Sequence, residues 1–136
     1  MENICWKYVS PLKEKSAVDV LEIKYHYPLP DDLKKCILEY NAGVPSPCLF
    51  DFGENKNKVF GGLLSYNIDD LDNIYDFVAL FENQDKSGLS MLPFGIDPAG
   101  NFICLKNEKI VFYDHETERA ILICDTFTQF LEMLHD

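Results

Sequence analysis

The sequence predicts an α+β fold: a mainly antiparallel sheet with helices packed against it, closed by a C-terminal helix. Three observations carry this. Leu33, Cys36, Ile37 and Tyr40 repeat at i, i+3, i+4 and i+7, the spacing of one apolar helix face. The stretch from Leu92 to Cys124 breaks into short β-type runs whose connections are too brief for parallel crossovers. Thr126-Phe127-Thr128-Gln129 has the form of a helix capping box. Helices and strands thus fall in separate blocks, the pattern of an α+β domain.

Taken in order, Ile4 to Val9 is short and aromatic and reads as an edge strand or a clamp on the core. Ser10-Pro11 reads as a helix start, with Ser at the cap and Pro at the first helical position. Leu12 to Lys24 would follow as a helix with Val18 and Leu21 inward, broken by Pro28-Leu29-Pro30. A second helix begins at Pro30, with Asp31 and Asp32 where the helix dipole favours anions. Asn41-Ala42-Gly43 closes it, and Pro45 and Pro47 prevent its resumption. Cys48 to Gly53 and Val59 to Ser65 read as strands around a polar loop, Glu54 to Lys58. Asn67-Ile68-Asp69-Asp70 signals a third helix with Leu71, Ile74, Tyr75 and Val78 as its stripe. Four runs follow: Leu92 to Ile96, Phe102 to Leu105, Lys109 to Tyr113 and Ala120 to Cys124. Phe127, Phe130, Leu131 and Leu134 form the stripe of the last helix.

The 136 residues fit one domain spanning 1–136. Hydrophobic residues at 47% and charged residues at 26% suit a globular chain with a packed core. The net charge of −11 repels phosphate backbones, so nucleic acid is not an expected partner. No apolar run has the length of a bilayer span and the N-terminal residues do not read as a secretory signal, so no membrane partner is expected. Cys5, Cys36, Cys48, Cys104 and Cys124 are odd in number and each sits beside an apolar residue. They read as buried free thiols of a cytoplasmic protein.

Several stretches match a known family. They are Trp6-Lys7-Tyr8-Val9, Leu29-Pro30-x-Asp32-Leu33, Tyr40 through Pro47, Leu63-Leu64-Ser65-Tyr66-Asn67 and Asn73-Ile74-Tyr75. The strongest is Leu92-Pro93-Phe94-Gly95-Ile96-Asp97-Pro98-Ala99-Gly100-Asn101-Phe102-Ile103-Cys104. Val111 to Glu116 and the Cys124 to Leu131 segment complete the set. In this order they resemble the Smi/Knr-type family of the SUKH superfamily over nearly the whole chain. The family pattern has Asn-Gly-Gly where Asn41-Ala42-Gly43 stands, often Arg at Val44, and commonly an aromatic at Ala99. The resemblance implies an α+β fold and, for bacterial members, an immunity protein that binds and neutralises a toxin. Fungal relatives look like cell-wall and signalling regulators with disordered flanks, which this short chain is expected to lack.

The residues themselves offer little for catalysis. Asp114-His115-Glu116 could orient a base, but neighbours on a strand point to opposite faces, so a polar strand end is the simpler reading. Cys104 could serve as a nucleophile with His115, but it sits in an apolar run where thiols are inert. Asp97 to Asn101 lacks calcium-loop spacing and reads as a turn, and Gly61-Gly62 lacks the Lys-Ser/Thr of a phosphate loop. No metal site and no cofactor is expected.

Charge is more informative. From Asp69 to Asp97 seven carboxylates face the single base Lys86, so this stretch holds −6 of the total −11. Asp69, Asp72 and Asp76 would lie opposite the third helix's apolar stripe. They are the candidate partner-contact residues, with Asp97 and Asn101 added from the neighbouring turn. The expected function is non-enzymatic binding of a protein partner, with a basic, nuclease-type toxin suiting an acidic face. The alternatives are a regulatory scaffold for an endogenous partner and a small enzyme using His115 or Cys104.

Overall fold

A computed structural model describes residues 4–85 and 87–136. Its centre is a five-stranded antiparallel meander of β5 (Gly62–Leu63), β6 (Leu92–Ile96), β7 (Phe102–Lys106), β8 (Lys109–Asp114) and β9 (Arg119–Cys124), hydrogen-bonded in that order. Two short two-stranded antiparallel sheets flank it: β1 (Cys5–Lys7) with β2 (Val44–Ser46), and the hairpin of β3 (Leu49–Phe52) with β4 (Asn55–Val59). The helices are α1 (Ala17–Tyr25), α2 (Asp31–Tyr40), α3 (Ile74–Val78) and α4 (Phe127–Glu132). The α+β architecture with a C-terminal helix is therefore as the sequence implies.

The meander forms where apolar residues and tight turns coincide. Residues 92–94, 102–105 and 110–112 are buried throughout, which fits strands covered on both faces. β6 and β7 slip register between Pro93 and Gly95, a bulge that lets a proline sit inside the sheet. Gly95 is required here: a Cβ on it would lie 2.3 Å from Cε1 of the fully buried Phe60. β9 is the outer strand. No strand lies beyond it among the described residues, and Ile121 and Leu122 are exposed.

The core is aromatic. Phe50, Phe60, Phe94, Phe127 and Phe130 are fully buried and meet mostly edge to face, the arrangement ring quadrupoles favour. The capping box seats α4: Thr126 Oγ1 accepts from Gln129 N at 3.0 Å, while Gln129 Oε1 accepts from Thr126 N at 3.2 Å. Asp32 of α2 then accepts from Thr128 N and Oγ1 at 2.9 and 2.8 Å, joining the two helices. Lys34 bridges Asp19 and Glu22 and so ties α2 to α1.

Five sequence expectations are corrected. α1 begins at Ala17, with Ser16 at its cap, so Ser10-Pro11 is not a helix start. Asn55 to Val59 is a strand and not a polar loop, because it pairs with β3 in an antiparallel hairpin. β2 was not expected; it pairs with β1, and Trp6 stacks on Tyr40 with ring centres 5.3 Å apart. α3 begins at Ile74, where Asn73 Oδ1 accepts from Asp76 N at 3.0 Å. Leu71 therefore lies outside the helix and is 90% exposed. All five thiols are free, with Cys36 and Cys104 buried and Cys5 exposed, against the expectation that most would be buried. Burial pushes the Cys36 thiol up to about 12.

Candidate functional site

The segment between β5 and α3 is held by a buried polar knot. Asn41, at the end of α2, donates from Nδ2 to Ser10 O at 2.9 Å and to Ser65 Oγ at 3.0 Å. Its Oδ1 accepts from Tyr66 N at 2.9 Å. Asn67 Nδ2 donates to Pro11 O at 3.0 Å, and its Oδ1 accepts from Lys13 N at 2.9 Å. Ser65 Oγ donates to Asp70 Oδ2, which also accepts from Asn67 Nδ2 at 3.3 Å. Asn41, Ser65 and Asn67 are all buried, so these bonds replace solvent for groups that cannot be left unpaired.

This knot fixes Asp70. Asp70 is half-buried, and the Ser65 hydroxyl, then Ser10 and Asn67, hold its carboxyl below the usual range. A lowered folded pKa adds stability that is present above the unfolded value and lost as pH falls through the folded one. The stability difference between the native chain and Asp70→Asn should therefore shrink as pH drops below about 4. Urea titrations at neutral and acid pH check this; a difference constant with pH would detach Asp70 from the knot.

The five candidate contact residues fall into distinct settings. Asp69 and Asp72 are exposed on the turn before α3, and Asp69 Oδ2 lies 3.5 Å from Lys13 Nζ. Asp76 is exposed on α3, and its Oδ2 accepts from Asn73 Nδ2 at 3.0 Å. It therefore supports the helix cap, whereas Asp72 stands ahead of the helix and not on its outer face. Lys86, the one base expected in this acidic stretch, lies outside the described residues. Asp97 and Asn101 are buried. Asp97 accepts from Asn101 N at 2.8 Å, Ala99 N at 3.0 Å and Asn101 Nδ2 at 3.0 Å. Asn101 Oδ1 accepts from His115 N at 3.0 Å and stands 2.6 Å from His115 Nδ1. An amide oxygen only accepts, so Nδ1 carries the ring proton. Asp97 and Asn101 thus build the turn between β6 and β7 and tie it to the end of β8. Cys104 is fully buried in β7, where burial pushes its thiol up, away from the thiolate a nucleophile needs.

A groove runs beside the exposed acids. Its walls are Val44, Leu63 and Ile96, and its rim carries Tyr8, Leu71 and Asp72. Tyr8 is 82% exposed. Of this set only Asp72 is among the contact residues expected from the sequence. The signal for the rest was available in part: Val44 departs from the family pattern, as does Ala42 on the same lining.

A family model described as the SMI1 / KNR4 family (SUKH-1) matches residues 14–133. The chain belongs to that family. No curated protein and no solved structure gives a match. Among the described residues, no helix is long and apolar enough to cross a membrane. One departure from the SUKH pattern has a measurable effect. Ala42 sits at φ +65°, the left-handed region that suits Gly after a helix. Ala42→Gly should raise stability by about 0.5–1 kcal/mol, the relief of Cβ strain less the added freedom of the unfolded chain. Thermal denaturation checks it, and a lowered midpoint would show that the Ala methyl contributes packing instead.

Proposed function

We propose that this SUKH-family chain is an immunity-type binding protein that neutralises a cognate toxin by covering it, with no chemistry of its own. Family membership across residues 14–133 carries the reading. The exposed carboxylates of Asp69, Asp72 and Asp76 support it, since acidic faces attract basic, nucleic-acid-gripping proteins and speed their encounter. The buried setting of Cys104 and the engagement of His115 with Asn101 support binding over catalysis. The proposed setting is the cytoplasm, whose reducing medium suits five free thiols.

The test is stoichiometry. A toxin recovered with the chain from its native cell should be silenced at a fixed molar ratio, and co-expression should restore growth. His115→Ala and Cys104→Ala should keep the same end point. Silencing of toxin in many-fold excess would mean turnover, and the binding reading would fall.

A further inference from the structure

We propose that the groove beside Asp72 receives one long cationic side chain, a lysine or arginine, from a basic protein partner; this rests on the toxin-binding reading above. The cavity measures about 250 Å³. That is below the ~300–1,000 Å³ usual for small-molecule sites and suits a single side chain. Val44, Leu63 and Ile96 give it apolar walls, and Asp70 and Asp72 place carboxylates on the lining. Lysine and arginine have the matching build, an aliphatic stem ending in a charge.

The carboxylates have different parts. Asp70 Oδ2 already accepts from Ser65 and Asn67. Asp72 makes no side-chain hydrogen bond or ion pair among the described residues, so it is the available counter-ion. Among the described residues, no lysine or arginine lines the groove. The exposed ring of Tyr8 stands on the same lining, where an aromatic face can accept a cation. The net charge of −11 opposes the approach of an acidic segment and favours a basic one.

Nuclear magnetic resonance titration with Nα-acetyl-lysine methylamide, against the norleucine and glutamate analogues, tests the chemistry. The lysine probe should give saturable shifts at the amides of Tyr8, Val44, Leu71 and Asp72, and the glutamate probe none. Asp72→Asn should weaken the lysine probe about three- to fivefold, the effect of one exposed ion pair, and leave norleucine unchanged. Both Leu71 and Asp72 are exposed, so their variants should keep the native melting point. Norleucine binding as well as lysine, or shifts confined to other surfaces, overturns the proposal. With the partner toxin, Leu71→Ala combined with Asp72→Asn should weaken binding about tenfold. Equal binding of the toxin by native and double-variant chains overturns the groove while leaving toxin binding intact. A native chain that binds no toxin removes the function instead, and the lysine titration then decides the groove by itself.

Discussion

Phe130→Ala is expected to cost about 3–5 kcal/mol, the range for removing a fully buried phenyl ring. Phe130 is the hub of the aromatic core. Its ring centre lies 5.1 Å from that of Phe60, 5.2 Å from Phe50, 6.1 Å from Phe94 and 6.5 Å from Phe127. These rings come from β3, the β4–β5 junction, β6 and α4, so one truncation loosens four attachments. The neighbours cannot collapse freely into the space, because Phe60 is already held against Gly95. A domain typically has about 5–15 kcal/mol in all, so the variant should be near its limit. Calorimetry should show a midpoint lowered on the order of 10 °C. A drop of a degree or two would make α4 a peripheral element.

Asn41→Ala should be of similar severity for a different reason. The methyl fills little of the site, and three groups lose a partner: the carbonyl of Ser10, the hydroxyl of Ser65 and the N–H of Tyr66. A buried polar group left unpaired costs about 1–3 kcal/mol. Ser65 keeps Asp70 and the Ser10 carbonyl keeps Asn67 Nδ2 at 3.4 Å, so the loss should total about 2–5 kcal/mol and not the full sum. Pairing Asn41→Ala with Ser65→Ala in a double-mutant cycle separates the knot from independent bonds. The double variant should lose less than the two single losses added. Strict additivity in urea denaturation would mean that the side chains do not act as a unit.

The contrast between these two residues explains what was legible in the sequence. Phe130 announces itself: it sits at helical spacing with Phe127 and Leu134, behind a capping box that forms as read. The four strands from Leu92 to Cys124 were equally plain, since apolar runs and tight turns are local signals. From the sequence, helix termination suffices to explain Asn41. Its partners lie 31 and 24 residues away, and no local pattern marks such a pair. The same holds for α3. Leu71 has the right spacing for its stripe, yet Ser65 N binds Asp72 O and Ile74 N binds Ser65 O, pinning the chain ahead of the helix. Asn55 to Lys58 looked like loop because strand preference depends on what a strand packs beside, and these polar residues sit in a hairpin that is largely open to solvent. For the site, the run of acids was visible at once. The groove was not, because Tyr8, Val44, Leu63, Leu71 and Ile96 come from separate parts of the chain and share only a place in space.

The outer strand β9 governs how concentrated solutions of this protein behave. The open side of an edge strand is a template for another copy, and here it carries Ile121 and Leu122 in place of blocking lysines or prolines. At neutral pH each molecule bears −11, and mutual repulsion holds the edges apart. Near the isoelectric point of about 4.5 that repulsion vanishes while the edge persists. Light scattering should rise as that pH is approached in protein whose circular dichroism is still native, and added salt should bring the onset closer to neutrality. Ile121→Lys, a charge placed on the strand itself, should hold the solution clear.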